Sequence, residues 1–246
     1  MNMNKKTILV TGASRGIGRA IALTFANYGY HVFLNCSRSV DELEKVKSEI
    51  LTIPGGSCDL LVGDIGNSQF VSKMFDEIYK KCDALDVLVN NAGIAHIGLL
   101  ADMTDEEWNH LLQTNLSSVF YCCRSAVPKM VSKKSGKIIN ISSMWGTVGA
   151  SCKAAYSATK SGVHGLTRAL AKELAPSNVQ VNAIACGCID TSMNSQLSAE
   201  EKSSLEEEIP AGRFGSPQEV ADFVMQLVSS PAYMTGQIIG LDGGYI

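Results

Sequence analysis

Three side chains in the second half of the chain have the types and the spacing of a proton-transfer site. Tyr156 follows Ser143 by 13 residues, and Lys160 follows Tyr156 by four. Residues four apart share one face of a helix, so we expect the Lys160 ammonium to lie beside the phenol and to lower its pKa. Such a phenol can protonate a carbonyl oxygen to which Ser143 donates a hydrogen bond. The alternative is an ordinary amphipathic helix, in which Tyr-x-x-x-Lys pairs are common.

A glycine-rich stretch near the start of the chain has the pattern of a dinucleotide-binding turn. It joins a short apolar run to a helical one and reads Thr11-Gly12-Ala13-Ser14-Arg15-Gly16-Ile17-Gly18. Glycines allow a sharp turn and a close approach to a pyrophosphate, and the free N–H groups at a helix start bind phosphate oxygens. We therefore predict cofactor contacts from Gly12, Ser14, Arg15, Gly16, Ile17 and Gly18.

The end of the second apolar run indicates which nicotinamide cofactor is bound. An acidic residue there usually binds the ribose 2′-hydroxyl of NAD. This chain instead reads Asn35-Cys36-Ser37-Arg38. The guanidinium groups of Arg15 and Arg38, with the hydroxyls of Ser14 and Ser37, suit a 2′-phosphate. The sequence therefore predicts NADP(H), although either arginine alone could be an exposed charge at a helix end.

Two further segments follow predicted strands and can contact the adenosine half of the cofactor. Asp64, with Ile65 beside it, comes just after the third apolar run, where the carboxylate could accept a hydrogen bond from the adenine amino group. Asn91, Ala92 and Gly93 follow the fourth run, and their small side chains permit close passage of the adenine ribose. We include these five residues in the predicted cofactor site.

Short apolar runs alternate with longer amphipathic segments along almost the whole chain. The runs are rich in Val, Ile and Leu, as strands buried on both faces are. They cover residues 7–11, 31–36, 59–62, 87–90, 137–142, 179–185 and 237–241. Helical patterns cover residues 16–28, 40–51, 68–81, 105–133, 156–174 and 217–229. This alternation predicts a Rossmann-type α/β fold: one domain over residues 1–246, on a doubly wound, parallel, seven-stranded sheet with its ligand crevice beyond the carboxyl ends of the strands.

One polar and acidic segment, residues 190–212, interrupts this alternation at the ligand end of the sheet. It forms either a mobile lid over the substrate or a solvated surface helix. The residues themselves favour neither alternative.

Composition and charge exclude several classes of protein. With 46% hydrophobic residues, 18% charged residues and a net charge of −3, the chain is typical of a globular protein and has no broad positive field for nucleic acid. Its N-terminal residues contain no apolar stretch typical of a signal peptide or a membrane span, so we expect a cytoplasmic location. The eight cysteines include no Cys-x-x-Cys and no histidine at ligand spacing, which predicts reduced thiols and no metal site.

Over essentially its whole length the chain resembles the short-chain dehydrogenases/reductases, and among them the bacterial 3-oxoacyl-acyl-carrier-protein reductases. The likeness rests on the glycine stretch, Asn90-Asn91-Ala92-Gly93, Asn115, the set Ser143/Tyr156/Lys160, and the tail from Ile209-Pro210-Ala211-Gly212-Arg213 to Asp242-Gly243-Gly244. The resemblance implies NADPH-dependent reduction of a 3-oxoacyl group to a 3-hydroxyacyl group in fatty acid biosynthesis. It also implies an acyl carrier protein as partner and assembly into a homotetramer.

The resemblance further implies roles for individual residues. Lys160, with Tyr156, would hold the nicotinamide ribose, and Asn115 would sit at a helix kink and hold a water that connects Lys160 to solvent. Ile189 would offer its backbone to the carboxamide, and Thr191 would reach the phosphates. The simpler alternative for an asparagine inside a helix is a hydrogen bond to its own backbone.

Two departures from the family pattern lie on the substrate side. Cys186-Gly187-Cys188 replaces the usual Pro-Gly after the sixth run, which adds a backbone N–H and loosens φ. The two cysteines are either packed small residues or a redox control. In addition, Lys129, Lys133 and Lys134 could contact an acidic carrier protein beside the site entrance, or could be an ordinary solvated helix end.

Two other functions remain open from the sequence. Residues 143–152 resemble a subgroup of these reductases that acts on a 5-aminopentanone group on a lysine of elongation factor P. Trp145 could favour such an amine by cation–π attraction, or could be a packed aromatic on a loop. The other function is that of a protein that senses NADPH without turnover, but such a protein is expected to have lost Tyr156 or Lys160.

Overall fold

Across the described residues, 5–194 and 198–246, the computed structural model has seven strands in one sheet, all parallel. They are β1 (Thr7–Val10), β2 (His31–Cys36), β3 (Ser57–Val62), β4 (Val87–Asn90), β5 (Gly136–Ser143), β6 (Val179–Cys186) and β7 (Ile238–Leu241). Their order across the sheet is β3-β2-β1-β4-β5-β6-β7. The predicted doubly wound α/β fold is therefore confirmed.

Helices cover both faces of this sheet, because alternate residues of a strand point to opposite sides. They are α1 (Gly16–Asn27), α2 (Val40–Thr52), α3 (Ser68–Tyr79), α4 (Asp105–Leu112), α5 (Ser118–Lys133), α6 (Trp145–Val148), α7 (Ala154–Leu174), α8 (Ala199–Glu208) and α9 (Pro217–Ser229). On β1, Ile8 and Val10 belong to one apolar cluster and Leu9 belongs to the other. Burial on both sides explains why the strands are continuously apolar rather than alternating.

The order of the strands defines where a ligand can bind. β1 lies between β2 and β4, so the chain leaves the ends of β1 and β4 in opposite directions and a crevice opens between them. Ser143 ends β5, and the segments after β1, β4 and β6 lie at the same edge of the sheet. The carboxyl edge therefore collects the segments from which most of the predicted site residues come.

Unlike α4, α8 and α9, helix α1 starts without a side-chain cap, which suits an anion. Thr104, Ser198 and Ser216 each cap a helix by accepting a backbone N–H bond, and a glutamate three residues on bonds back to the cap. Arg15, at the start of α1, provides no side-chain cap, and the first turn of α1 has no acidic residue. The first N–H groups of α1 therefore lack a side-chain acceptor and favour a negative ligand.

The predicted helix over residues 105–133 is interrupted. A π-helical turn, Gln113–Ser117, separates α4 from α5. Its cause is the side chain of Asn115, which hydrogen-bonds outside its own helix, to the backbone of Ile94. The helical patterns did not include α6, whereas α8 lies in the segment 190–212, for which a surface helix is one of the two expectations. The predicted start of β3 is two residues late, at 59 rather than 57.

Other expectations concern thiols, metals and membranes. All eight cysteines are free thiols. Within residues 5–194 and 198–246, no three His, Cys, Asp or Glu side chains are grouped so that they could hold a metal ion. No helix in this described part of the chain has the length and apolarity needed to span a bilayer.

Candidate active site

Ser143 and Tyr156 meet at the carboxyl edge of the sheet. Ser143 is the last residue of β5 and is buried, and Tyr156 lies in the first turn of α7. The Ser143 hydroxyl lies close enough to the Tyr156 phenol to lower its pKa. The Ser143 hydroxyl also accepts the backbone N–H of Trp145 at 3.2 Å, which holds it at the strand end. Two hydroxyl groups thus converge on one point, as a carbonyl oxygen would require.

The phenol of Tyr156 is more weakly acidic than expected. Removal from water raises its pKa to about 12, and the nearby Ser143 hydroxyl only partly opposes this rise. The Lys160 ammonium lies 5.7 Å from the Tyr156 ring centroid and donates to the Ile141 carbonyl at 3.1 Å. The expected lowering of the phenol pKa is therefore not found in this arrangement, in which burial is the largest cause of the shift. Tyr156 is a protonated phenol at neutral pH.

Lys160 is a buried cation. Burial lowers its pKa from an ordinary value of 10.5 to about 8, and the nearby Cys186 thiol slightly opposes this shift. At pH 7 the side chain still carries its proton. Burial of a charged ammonium destabilises the folded protein, and such perturbed groups concentrate at functional sites.

Asn115 joins the π-helical turn to the loop after β4. Its side-chain oxygen accepts the N–H of Ile94 at 2.8 Å, and its amide nitrogen donates to the Ile94 carbonyl at 2.9 Å. A β-carbon placed on Gly93 would lie 3.3 Å from Oδ1 of Asn115 and 3.6 Å from Nζ of Lys160. Asn115 and Lys160 therefore flank Gly93 on the same side of the crevice. The Asn115 side chain is thus bonded to the neighbouring loop and, at 3.3 Å, to the hydroxyl of Thr159 on α7, not to its own helix.

The glycine turn after β1 leaves the space that a pyrophosphate needs. Gly12 has φ +66°, and a β-carbon there would stand 2.9 Å from the Cα of Ala92. A β-carbon on Gly18 would collide with the Gly12 carbonyl. Only glycine fits these positions, and the uncapped start of α1 faces the same space. The residues present therefore fit a dinucleotide.

Thr11 and Asn91 tie the glycine turn to the loop after β4. The Thr11 hydroxyl accepts the backbone N–H groups of Asn91 and Ala92 at 3.0 and 3.1 Å. The Asn91 amide returns bonds to the carbonyls of Thr11 and Gly12 at 2.9 and 3.1 Å. Sequence reasoning missed this role of Thr11. Its place as the first residue of the glycine stretch was the available signal.

The residues predicted to distinguish NADP from NAD lie after two adjacent strands. Ser37 and Arg38 follow β2 and are exposed, and the exposed Arg15 follows the turn after β1. Arg15 donates from Nη1 to the hydroxyl of Ser39 at 3.1 Å. Asp64, beyond β3, is exposed and accepts the N–H of Gly66 at 2.8 Å. The basic residues thus lie on the β2 side of the crevice.

The other predicted cofactor residues lie around the same crevice. Ser14 and Ile65 are buried, and Ile17 is half-buried in α1. Ile189 pairs with Gly215, and its carbonyl accepts the amide of Asn194 at 2.8 Å. A β-carbon on Gly16 would lie 3.3 Å from the methyl group of Thr191. Thr191 therefore lies directly over the glycine turn.

The segment 190–212 contains α8, which has no buried residue. Lys202 on α8 pairs with Asp190 at 3.1 Å and lies over the ring of Phe214 at 5.3 Å. Residues 195–197 of the predicted lid lie outside the described residues. These contacts are compatible with a lid and with a surface helix.

Three segments that are distant along the chain form an aromatic wall beside Ser143. Its members are Trp145 with Lys153, Glu208 and Tyr245, and the sequence analysis singled out only Trp145. The ring of Trp145 meets the ring of Tyr245 edge to face at 5.5 Å. The Tyr245 hydroxyl donates to Glu208 at 2.7 Å, and Nζ of Lys153 lies 5.6 Å from the Trp145 ring centroid. Gly243 and Gly244, both with positive φ, turn the C-terminal tail so that Tyr245 reaches Trp145.

Cys186 is a buried thiol beside the site and has little thiolate character at neutral pH. Burial raises its pKa to about 12, and the Lys160 ammonium lowers it only slightly. Burial also raises the pKa of Cys188. Since thiolates are the reactive form of cysteine, this favours packed small residues over redox control.

The lysines proposed for a carrier protein lie away from the crevice. Lys133 pairs with Asp86, just before β4, at 2.9 Å, and Nζ of Lys129 lies 5.7 Å from the Tyr79 ring centroid. Lys134 ends α5 immediately before β5. They therefore lie toward the amino edge of the sheet, opposite Ser143. The three lysines therefore do not lie beside the site entrance of their own chain, and the expectation that they do is wrong.

Comparison with known proteins places this geometry in a family. A family model described as short chain dehydrogenase matches residues 6–202. A 3-oxoacyl-[acyl-carrier-protein] reductase of Staphylococcus aureus is 44% identical to the chain over 97% of each protein.

Two solved structures share the whole fold. An NADPH-dependent reductase involved in bacilysin biosynthesis has a TM-score of 0.93 and 28% identity over 99% of both chains. A 3-oxoacyl-[acyl-carrier protein] reductase from Brucella melitensis has a TM-score of 0.92 and 31% identity, covering 99% of this chain and 93% of that one. The chain belongs to the short-chain dehydrogenase family, and it is an oxidoreductase that acts on carbonyl or hydroxyl groups with a nicotinamide cofactor.

Proposed function

We propose that the protein reduces the ketone of a 3-oxoacyl thioester, carried on acyl carrier protein, to the 3-hydroxyacyl product with NADPH. The observation that carries the proposal is the half-buried, protonated phenol of Tyr156, which converges with the hydroxyl of Ser143 at the carboxyl edge of the sheet. Curated relatives with 42–44% identity are named as reductases of this substrate. A protonated donor suits reduction, since the oxygen of the ketone must gain a proton.

Each residue of the site has a defined task in this reaction. NADPH, bound over the glycine turn, would supply the hydride for the ketone carbon. Ser143 and Tyr156 hold the ketone oxygen with two hydrogen bonds, and the Tyr156 O–H bond breaks to give that oxygen its proton. Lys160 provides positive charge near the resulting phenolate, and Asn115 keeps the adjoining loop in place with Ile94. A water held by Asn115 would connect Lys160 to solvent.

The choice of NADPH rests on the residues after β1 and β2. Arg15 and Arg38 are exposed there, and the stretch Asn35-Cys36-Ser37-Arg38 has no carboxylate to bind a free 2′-hydroxyl. A structural neighbour is described as NADPH-dependent. Guanidinium groups pair with a 2′-phosphate through charge-assisted hydrogen bonds.

Three broader features complete the proposal. The resemblance to the reductases favours a cytoplasmic homotetramer, with 190–212 closing over the substrate. The proposal that the substrate is held by a carrier protein rests on the names of the relatives. It does not rest on Lys133, because that lysine is paired with Asp86. A protein that only senses NADPH has no need for the proton donor, yet Tyr156, Ser143 and Lys160 are all retained.

A second substrate class is favoured by the aromatic wall, namely a ketone that carries an amine, such as the 5-aminopentanone group on a lysine of elongation factor P. The indole of Trp145 already has the ammonium of Lys153 at 5.6 Å, which is cation–π distance. The carboxylate of Glu208 stands behind Tyr245 on the same wall. A cationic substrate end would take the place of the Lys153 ammonium at the indole face, and the negative charge of Glu208 would attract it there.

Replacement of Tyr156 by Phe removes the proton donor and keeps the ring. We expect the rate of NADPH oxidation with acetoacetyl thioester to fall roughly 10²–10⁴-fold. Tyr79→Phe is the matched control, since that hydroxyl donates to Ser125 between α3 and α5, and its rate should stay unchanged. Equal rates for Tyr156→Phe and wild type would contradict the mechanism, and no rate with any ketone would favour a sensor.

Replacement of Lys160 by Met should lower activity and raise stability. Because its pKa falls from 10.5 to about 8 on folding, the unfolded chain binds more protons between these pH values, and the lysine opposes folding at pH 7. We expect Lys160→Met to raise the free energy of unfolding at pH 7 by about 1–3 kcal/mol. The advantage should shrink from pH 8 to 10.5, as measured by urea unfolding. A variant less stable than wild type at pH 7 would refute this account.

Replacement of Arg38 by Ala tests the choice of cofactor. We expect the KM for NADPH to rise about tenfold or more and the KM for NADH to change less than twofold, because only NADPH carries the 2′-phosphate. Lys47→Ala on α2, where Lys47 pairs with Glu44, controls for the loss of one positive charge. An unchanged ratio of the two KM values would mean that the 2′-phosphate is bound elsewhere.

The two substrate classes are separated by a pair of ketones of equal length, one ending in an amine and one in a methyl group. If the amine class is right, Glu208→Gln should raise the KM for the amine about fivefold or more and leave the neutral ketone within twofold. Glu207→Gln, one residue away and exposed, is the control. An amine ketone that is no better than its neutral partner, with faster turnover of acetoacetyl thioester, would leave the 3-oxoacyl thioester as the substrate.

A further inference from the structure

His164 is a buried imidazole directly beneath the segment that forms the substrate side of the site. It lies one helical turn after Lys160 on α7 and is buried. Its Nε2 is 2.8 Å from the hydroxyl of Ser142, the residue before Ser143. No step of the proposed reaction uses this imidazole. A buried polar side chain with such a partner has a structural task, and its position indicates which one.

The same imidazole also contacts Gly146 of α6. A β-carbon on Gly146 would stand 2.8 Å from Cε1 of His164 and 2.8 Å from the backbone carbon of Lys160. Contact with the Gly146 backbone also tends to raise the pKa of the imidazole. The Gly146 carbonyl accepts the hydroxyl of Ser161 at 2.7 Å. Helix α6 is therefore seated on α7 with backbone against backbone at the catalytic lysine.

The charge of His164 follows from its surroundings. Burial lowers its pKa to about 4, and the charges of Arg168 and Lys160 add to the effect. The Gly146 backbone opposes that shift. The ring is therefore neutral at pH 7, and its Nε2 shares a hydrogen bond with the hydroxyl of Ser142, which also lies 3.5 Å from the Lys160 carbonyl.

His164 thus holds both ends of one short segment. Ser142 immediately precedes Ser143, which donates to the substrate oxygen, and Gly146 immediately follows Trp145, which faces the substrate. A shift of either contact moves one of these two side chains relative to Tyr156. Errors of about 1 Å in such placements can lower rates about 10²-fold.

We propose that His164 is a positioning residue that places Ser143 through Ser142 and places Trp145 through Gly146. This inference rests on the proposed ketone reductase function. The two contacts should separate kinetically. The Ser142 contact supports the hydrogen bond made in the transition state and so affects kcat, whereas the Gly146 contact places the wall that binds substrate and so affects KM.

Two substitutions of His164 separate the contacts. The amide of Asn occupies the place of Nδ1, so His164→Asn keeps a polar group against Gly146 and loses the hydrogen-bond partner of Ser142. The amide of Gln reaches the place of Nε2, so His164→Gln keeps the Ser142 contact and loses that to Gly146. We expect kcat to fall about tenfold in His164→Asn with KM within twofold, and KM for the ketone to rise about tenfold in His164→Gln with kcat within twofold.

Two further variants keep the test decisive if His164 variants fold poorly. Ser142→Ala removes the same hydrogen bond from the other side and should match His164→Asn. Thr167→Val breaks an equally buried bond, from Asn140 at 2.8 Å, on the next turn of α7. It should lower the melting temperature and leave both kinetic constants for the ketone within twofold. NADPH affinity, measured by fluorescence, should be unchanged in all four variants.

A second readout does not depend on turnover. The chain has two tryptophans, so a Trp108→Phe background leaves Trp145 as the single fluorophore. We expect acrylamide quenching of Trp145 to increase about twofold in His164→Gln and to stay at the starting value in Thr167→Val. If wild type reduces no ketone while quenching changes as stated, the proposed function fails and the positioning role stands.

The inference would be overturned if His164→Asn and His164→Gln had the same kinetic constants and the same quenching as Thr167→Val. His164 would then contribute only to the stability of the fold. Wild-type activity in the same assay would show that the proposed function survives that result.

Discussion

The convergence of the Ser143 and Tyr156 hydroxyls at the carboxyl edge of the sheet is the constraint on which the site depends. Burial raises the pKa of the phenol, and the serine hydroxyl moderates that rise without removing the proton. Because the phenol stays protonated, it can act as an acid toward a carbonyl oxygen. This convergence requires the end of β5 and the first turn of α7 to meet, so the sheet and this helix must pack in one arrangement.

Two sets of contacts hold that arrangement at the edge of the sheet. Thr11 and Asn91 join the glycine turn to the loop after β4, which keeps the cofactor side of the crevice in register. Ser142, His164 and Gly146 join the end of β5 to α6 and α7 on the substrate side. Lys160 lies between the two sets, where burial opposes its charge. The site thus keeps a destabilising cation in a place that the surrounding bonds define.

Much of the fold could be predicted from local pattern. The seven apolar runs are all strands, and the glycine stretch forms the turn before α1. The break at Gln113–Ser117 could not be read from the helical pattern, because its cause is the contact of Asn115 with Ile94, about twenty residues away. Likewise, Tyr245 and Glu208 join Trp145 only because the tail folds back from the last strand.

The sequence by itself determined the succession of strands and helices, the glycines that leave room for phosphate, and the presence of serine, tyrosine and lysine on the elements that end at one edge. These properties depend on residue type and short spacing, which act locally. Only the tertiary structure decided the protonation of Tyr156, the direction in which Lys160 points and the distance of Lys133 from the crevice. Solvation and charge at a side chain depend on everything that packs around it, and most of those neighbours are remote along the chain.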